Sequence, residues 1–370
     1  MDGPASLLFP LLRSGLGGEA GGVDRRNPEA VAWPSVYRLA SAQGVLAIAW
    51  DGLQRLIGEG VLPADRQPDR ALKLRWAYNV AQIEQKYARQ RQALANLTEL
   101  YAAHDISLML LKGYGLSLLY PHPEHRPCGD IDIWLFGKLR EADEAVRRAC
   151  SIDVDGGKHL HTTFTFEGVM VENHYDFLNI HAHLSNRAIE RRLKRLAATP
   201  EQCEAIDVDG RTLYLPSANF DALFLLRHAA AHFAAAEIGL RHVVDWAMFV
   251  RRNHDRIDWP TLERIAREQN MHRFLHCLNA FAIDCLGLDG GLLPPFERDE
   301  ALERRVLDEI LRPEFVGAAP KGGVAAALSF KLRRWWANRW KHRIVYREGL
   351  IETFFMQLRS HLMKPESLKA

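Results

Sequence analysis

Apolar residues recur along this chain with two different periods, and the period changes twice. From about Pro28 to Gly58 the spacing of Val31, Val36, Leu39, Val45, Ile48, Leu53 and Leu56 is helical. A second helical run extends from about Arg70 to His104, with Leu74, Ala77, Val80, Ile83, Tyr87, Leu94, Leu97 and Tyr101 on its apolar side. At Asp105 the texture turns to short strands. Ile106 to Leu111 has strand length, Leu116 to Tyr120 reads as a short helix, and Ile131 to Phe136 as a second strand. Between them Pro121, Pro123 and Pro127 enforce an irregular loop. Arg140 to Cys150 is amphipathic helix. His159 to Phe166 and Val169 to Phe177 alternate around Glu167-Gly168, and Glu204 to Val208 and Thr212 to Leu215 flank Asp209-Gly210. Both pairs are predicted hairpins. From Ser217, which can cap, the helical period returns through Ala236. It persists over Leu240 to Arg252, Trp259 to Glu268, Met271 to Leu286 and the stretch after Lys321.

The order helices, strands, helices predicts an α+β fold: a small mixed β-sheet core flanked by N-terminal helices and a C-terminal helical bundle. The expected divisions are a flexible Gly-rich tail over 1–26, a helical region over 27–104, the core over 105–216 and a helical domain over 217–370. With 48% apolar and 25% charged residues in 370, the chain reads as an ordinary soluble globular protein. A formal charge of +2 gives no bulk attraction to nucleic acid. Five cysteines, an odd count without CxxC spacing, argue against a disulfide framework or a cysteine zinc site and point to a reducing cytoplasm. The run Leu7 to Leu12 is short, Pro-broken and preceded by an acid, hence a poor signal peptide. No apolar stretch reaches the ~20 residues of a membrane span.

Chemistry concentrates between Leu110 and Phe136. Alternation along a strand puts Asp130 and Asp132 on one face and Ile131, Ile133 and Leu135 on the other. Two carboxylates so close repel unless a cation offsets them, and Mg²⁺ is typically held by one or two carboxylates plus substrate phosphates. A bare Asp-x-Asp is also what a solvated strand edge with two acids looks like. Its context decides between these. Lys112-Gly113 ends the preceding strand just before a helix, an arrangement that lets backbone N–H groups approach a phosphate. Glu172 interrupts the apolar run of Val169 to Val171 and shares a face with His174. Acids within strands are disfavoured unless paired or bound to something.

These residues resemble the polymerase-β-like nucleotidyltransferase superfamily, which combines a glycine turn, an Asp-x-Asp strand and a third acid on a neighbouring strand. The chain is more closely similar to the bacterial family usually called uncharacterised nucleotidyltransferases. The shared pattern is Lys112-Gly113, Tyr120-Pro121, Arg126, Gly129-Asp130-Ile131-Asp132 and Glu172-Asn173-His174, then His228 and His232 on one helix and Arg241 and Asp245 on the next. The resemblance covers roughly Ser107 to Asp258. It implies that 105–216 is the nucleotidyltransferase core. It further implies transfer of a nucleoside monophosphate from an NTP to an acceptor hydroxyl, with two Mg²⁺ ions on Asp130, Asp132 and Glu172. Lys112, Gly113, Arg126, Gly129 and His174 would bind the nucleotide, Arg126 as a bidentate clamp and Lys112 as a point charge. One departure is that the superfamily's turn usually carries Gly-Ser, whereas Tyr114 follows Gly113 here. Lys112 or Arg126 is left to take over that phosphate contact.

Other residues keep two readings. His174 orients the acceptor or acts as base, or is a hydrogen-bonded strand histidine. His228 and His232 lie at i,i+4, a spacing that can bind zinc, but without a nearby Glu-x-x-His partner or cysteine a packed or substrate-facing role is the stronger reading. Asp245 is expected to pair with Arg241, four residues earlier. Lys331 to Arg347 interleaves seven basic residues with Trp335, Trp336 and Trp340. Trp336 and Trp340 are expected to face the same way, and the stretch binds RNA or packs its tryptophans onto the preceding helices. The acceptor is expected to be a small molecule or biosynthetic intermediate. The alternatives are a toxin-type enzyme acting on tRNA, which the basic stretch suggests, or a degenerate nucleotide-binding protein.

Overall fold

Strand alternation decides which side chains meet which helices. The computed structural model describes residues 3–18, 32–157, 160–235, 238–313, 329, 333–354 and 356. Six strands, β1 (Met109–Leu111), β2 (Ile131–Trp134), β3 (His161–Phe166), β4 (Val169–His174), β5 (Glu204–Val208) and β6 (Arg211–Leu215), form one mixed sheet in the order β3-β4-β2-β1-β6-β5. Helices flank it on both sides in the chain, as the α+β reading expects. One sheet face, with Leu110, Ile131, Ile133, Phe164 and Val171, packs on Leu94, Leu97 and Tyr101 of helix α4 (Arg70–Ala102) and on Ala142 and Val146 of α6 (Leu139–Cys150). The opposite face carries Asp132, Glu172 and His174 together with Met109, Leu111 and Trp134. Its apolar members join a cluster with Phe177 of the loop after β4, Ile189 and Leu193 of α7 (Leu184–Leu196), and Phe220 and Phe224 of α8 (Ala218–Ala235). The acids therefore look towards the later helices, away from α4.

Both hairpins have the expected two-residue connections. Glu167-Gly168 (φ 49° and 77°) and Asp209-Gly210 (φ 54° and 79°) are left-handed at both positions, the conformation that matches strand twist. The strands are shorter than predicted at several ends, and His159 lies outside the described residues. The short helix begins at the glycine turn itself, as α5 (Gly113–Ser117) rather than at Leu116. Besides the helix at residues 4–15 described next, two helices were not anticipated: α7, whose sequence is mostly polar, and the helix Glu300–Leu311, capped by Asp299 through the N–H of Leu302.

The tail expected over 1–26 is corrected at residues 4–15, which form α1 (Pro4–Gly15). Its Leu8, Leu11 and Leu12 are fully buried, each contributing roughly 1.5–3 kcal/mol. The glycine there serves close packing. A Cβ at Gly15 would lie 2.1 Å from the Ile48 carbonyl oxygen, and one at Gly52 would lie 1.9 Å from that of Leu11. The backbones of α1 and α3 (Leu46–Gly58) thus approach as only glycine allows. The rest of that stretch, 1–2 and 19–26, lies outside the described residues except for the turn at 16–18. The single helical run expected over 28–58 is two helices, α2 (Trp33–Ala42) and α3, separated by Gly44 at φ 68°. Val31 of that run is not among the described residues. At this break Gln43 donates to the Ile310 carbonyl (2.9 Å) and accepts from the Leu240 N–H (2.8 Å), tying the early helices to the late ones.

Within the basic–aromatic stretch, a turn at Asn338 precedes the helix Arg339–Val345. Trp336 and Trp340 do not share a face. Trp336 is 59% exposed, while Trp340 packs edge-on against Phe233 (5.5 Å) beneath the guanidinium of Arg305 (3.9 Å). Lys341 is buried against Glu309 (2.6 Å). Lys331 lies outside the described residues. Among the described residues no helix is long and apolar enough to cross a membrane.

Candidate active site

The site starts where β1 stops. Lys112 and Gly113 both take positive φ (41° and 42°), folding the chain sharply from β1 into α5. For a lysine this backbone is costly, of order 1–3 kcal/mol, and persists only when the surroundings hold it. What holds it is an ion pair: Lys112 Nζ lies 3.0 Å from Asp132 Oδ1.

Pairing of the strands brings the acids together. Asp132 stands opposite Leu111 in β1 and opposite Glu172 in β4. Neighbouring positions in register point the same way, so Glu172 joins Asp132 on one face, and Asp130 enters from the residue before β2. One carboxylate oxygen each of Asp130, Asp132 and Glu172 lies within 4.8 Å of the others. Asp132 is 2% exposed. Its Oδ1 faces Lys112 Nζ and His174 Nε2, each at 3.0 Å, while its Oδ2 is buried with no hydrogen-bond partner. Burial resists ionisation of Asp132, but Lys112 and His174 outweigh it and hold the carboxyl below the usual range. Burial and the neighbouring Asp132 push Asp130 the other way, upward. Burial likewise opposes a charge on His174, yet Asp132 and Glu172 outweigh it and raise the imidazole to about 9. Its Nδ1 faces the Asp176 carbonyl at 3.1 Å, so both ring nitrogens meet acceptors, as a protonated ring requires. His161, in register with His174 on β3, lies 3.4 Å from Glu172 Oε1. It is a neighbour that alternation along His161–Phe166 could have revealed.

Asp245 corrects an expectation. Asp245 on α9 (Leu240–Asn253) does not pair with Arg241. It takes Arg126 in bidentate fashion at 2.7 and 2.8 Å and accepts from the Tyr120 hydroxyl at 2.6 Å. Arg126 is 4% exposed, and its Nη1 donates to the Gly113 carbonyl at 2.9 Å. The guanidinium so engaged also forms part of the wall of the cavity described next. It fixes the glycine turn. Arg241 instead donates to the Pro127 carbonyl at 3.3 Å and remains half-buried on the wall of a cavity.

That cavity has a volume of about 190 Å³. Lys112, Gly113, Arg126, Gly129, Asp130 and Asp132 line one side, and His228, His232 and Arg241 line the other, with His242 and Asp245. A Cβ added at Gly129 would meet nothing within 4 Å, so the backbone there is uncovered. Glu172 flanks Asp132 from β4 without lining the cavity. Burial drives all three histidines below their ordinary range, His232 to about 4 and His242 to about 3, so they are neutral rings at physiological pH. His242 escaped the sequence reading because it belongs to a different helix from His228 and His232.

An orphaned buried oxygen on Asp132, with two further carboxylates beside it, is a donor set suited to a hard divalent cation such as Mg²⁺. A family described as uncharacterised nucleotidyltransferase matches residues 29–287 of the chain. Nothing among curated proteins or solved structures matches it.

Proposed function

The chain belongs to the uncharacterised nucleotidyltransferase family, and on that premise we propose that it moves a nucleoside monophosphate from an NTP to an acceptor hydroxyl in a metal-dependent reaction. We place it in the polymerase-β-like superfamily, and its acceptor among small molecules or biosynthetic intermediates. The acceptor oxygen attacks the α-phosphorus. The bond to the bridging oxygen breaks, and pyrophosphate leaves with the electron pair. Asp130, Asp132 and Glu172 would hold two Mg²⁺ ions, which when bound neutralise charge on the attacking and leaving oxygens. Glu172, set beside Asp132, is also placed to take the acceptor's proton. His174 engages one oxygen of Asp132 and leaves the other for a cation. Lys112 brings a point charge towards the phosphates, and the backbone at Gly113 and Gly129 leaves room for close approach. Arg126 acts at one remove, by holding the Gly113 carbonyl.

What carries this reading is the convergence of three carboxylates on one spot, with a buried oxygen of Asp132 unpartnered there. Retention of all three acids speaks against a degenerate protein. Transfer onto tRNA drew on the basic–aromatic stretch, but Trp340 and Lys341 of that stretch are packed inward, so we favour the small acceptor. Five unbridged cysteines suit a reducing compartment, and we assign the protein to the cytoplasm. The test is incubation with labelled NTPs, Mg²⁺ and cell extract, reading pyrophosphate release and identifying by mass what acquires the nucleotide. Asp132→Asn should lower turnover by about 10³-fold, equivalent to ~4 kcal/mol, with an unchanged circular dichroism spectrum. Turnover within about tenfold of the parent, or undiminished by a chelator, would refute the metal assignment.

A further inference from the structure

The helix side of the cavity has a donor set of its own. His228 and His232 are one turn apart on α8, with ring centroids 4.4 Å apart. His242 reaches them from the first turn of α9, its ring 5.7 Å from that of His228 and 4.9 Å from that of His232. One nitrogen from each ring lies within 4.8 Å of the other two. Tetrahedral zinc with imidazole nitrogens at ~2.0–2.1 Å sets its ligand atoms about 3.3 Å apart, so small side-chain rotations close the difference.

The geometry points to a second cation site here, formed by His228, His232 and His242, for a zinc-class transition metal, with its remaining coordination position open to the cavity. Three observations support it. First, the cluster consists of imidazoles, without cysteine or carboxylate among the described residues. Such a set favours zinc, cobalt or nickel over the Mg²⁺ that oxygen donors take. Second, His242 is built as a ligand. Its Nδ1 lies 3.2 Å from the Gly239 carbonyl, and donation to that oxygen leaves Nε2 unprotonated, as backbone carbonyls orient metal-binding histidines. Its Nε2 is buried without a hydrogen-bond partner, in a residue only 9% exposed. An imidazole nitrogen left so costs free energy unless something binds it. Third, all three residues line the cavity, so a bound ion would face solvent or substrate rather than be enclosed by protein. That pattern of three protein ligands and an open place belongs to catalytic rather than structural zinc. Lys112 and Arg241 also face this space and repel a cation, while Asp130, Asp132 and Asp245 on the same cavity offset them.

The site goes beyond the nucleotidyl-transfer reading and does not depend on it. The experiment loads the chelator-treated full chain with Co²⁺ and follows visible absorption and bound metal after gel filtration. The parent should show the d–d bands of four- or five-coordinate cobalt, abolished by one equivalent of Zn²⁺ per chain. His232→Ala and His242→Gln should each weaken the binding that these bands report by at least tenfold, whereas Asp132→Asn should leave the bands unchanged. If one histidine variant fails to fold, the other and His228→Gln carry the same reading. Absence of the bands in the parent would overturn the site. So would their survival in the histidine variants, or their loss in Asp132→Asn, which would move the metal to the carboxylates.

Discussion

The two sides of the cavity meet the cost of burying polar groups in opposite ways. On the sheet side, three carboxylates stand together, and Lys112 and a protonated His174 hold Asp132 among them ionised against its burial. On the helix side, three histidines stand together as neutral rings, because burial and the nearby cations Lys112 and Arg241 strip their protons. The first is a charged site whose oxygens suit a hard cation bound together with phosphates. The second is an uncharged site whose nitrogens suit a softer one. Contact with one cavity does not make two clusters one site, because donor type and charge separate them.

A single strut joins the two sides. Asp245 lies three residues past His242 on α9, and Arg126 bridges from it to the Gly113 carbonyl. Asp245→Asn should be the most damaging of the structural changes. It leaves Arg126 buried without its counter-charge and should cost about 3–5 kcal/mol, read as a lower urea midpoint. The turn at Lys112-Gly113 should then loosen, so nucleotide affinity should fall while cobalt binding at the histidines is retained. A variant as stable as the parent would remove the strut from this picture.

A milder change sharpens the helix side alone. Trp340 packs on Phe233, the residue after His232, and so backs α8 from behind. Trp340→Ala should cost about 1–3 kcal/mol, whereas Trp336→Ala, at an exposed position, should cost under about 1 kcal/mol in the same urea series. Equal losses would mean that the two tryptophans do share a face.

Which of these features could be read from the sequence follows from the range of the interactions. Asp130, Asp132 and Glu172 were legible because strand parity is local and Glu172 stands out in an apolar run. The turn at Asp209-Gly210 was legible because few residue pairs tolerate two positive φ angles. What stayed hidden depends on distant partners. Arg126 finds Asp245 119 positions away, so an i,i+4 pair of Asp245 with Arg241 could not be ruled out beforehand. His242 joins His228 and His232 only because the chain reverses around Gly239. Gly15 looked like a loosening residue when its purpose, close contact with α3, lies more than thirty residues on. The break at Asn338 likewise carries no proline or glycine to announce it, so Trp336 and Trp340 looked like one helical stripe.

The most direct measurement is a Mn²⁺ titration followed by electron paramagnetic resonance, with a non-hydrolysable NTP analogue present. A shared cation held by groups from two separated strands requires Asp130→Asn and Glu172→Gln each to weaken Mn²⁺ binding by at least about tenfold, roughly 1.4 kcal/mol, while the fold is kept. If Glu172→Gln binds Mn²⁺ as the parent does, Glu172 is no part of the cation site and the three-acid centre is wrong.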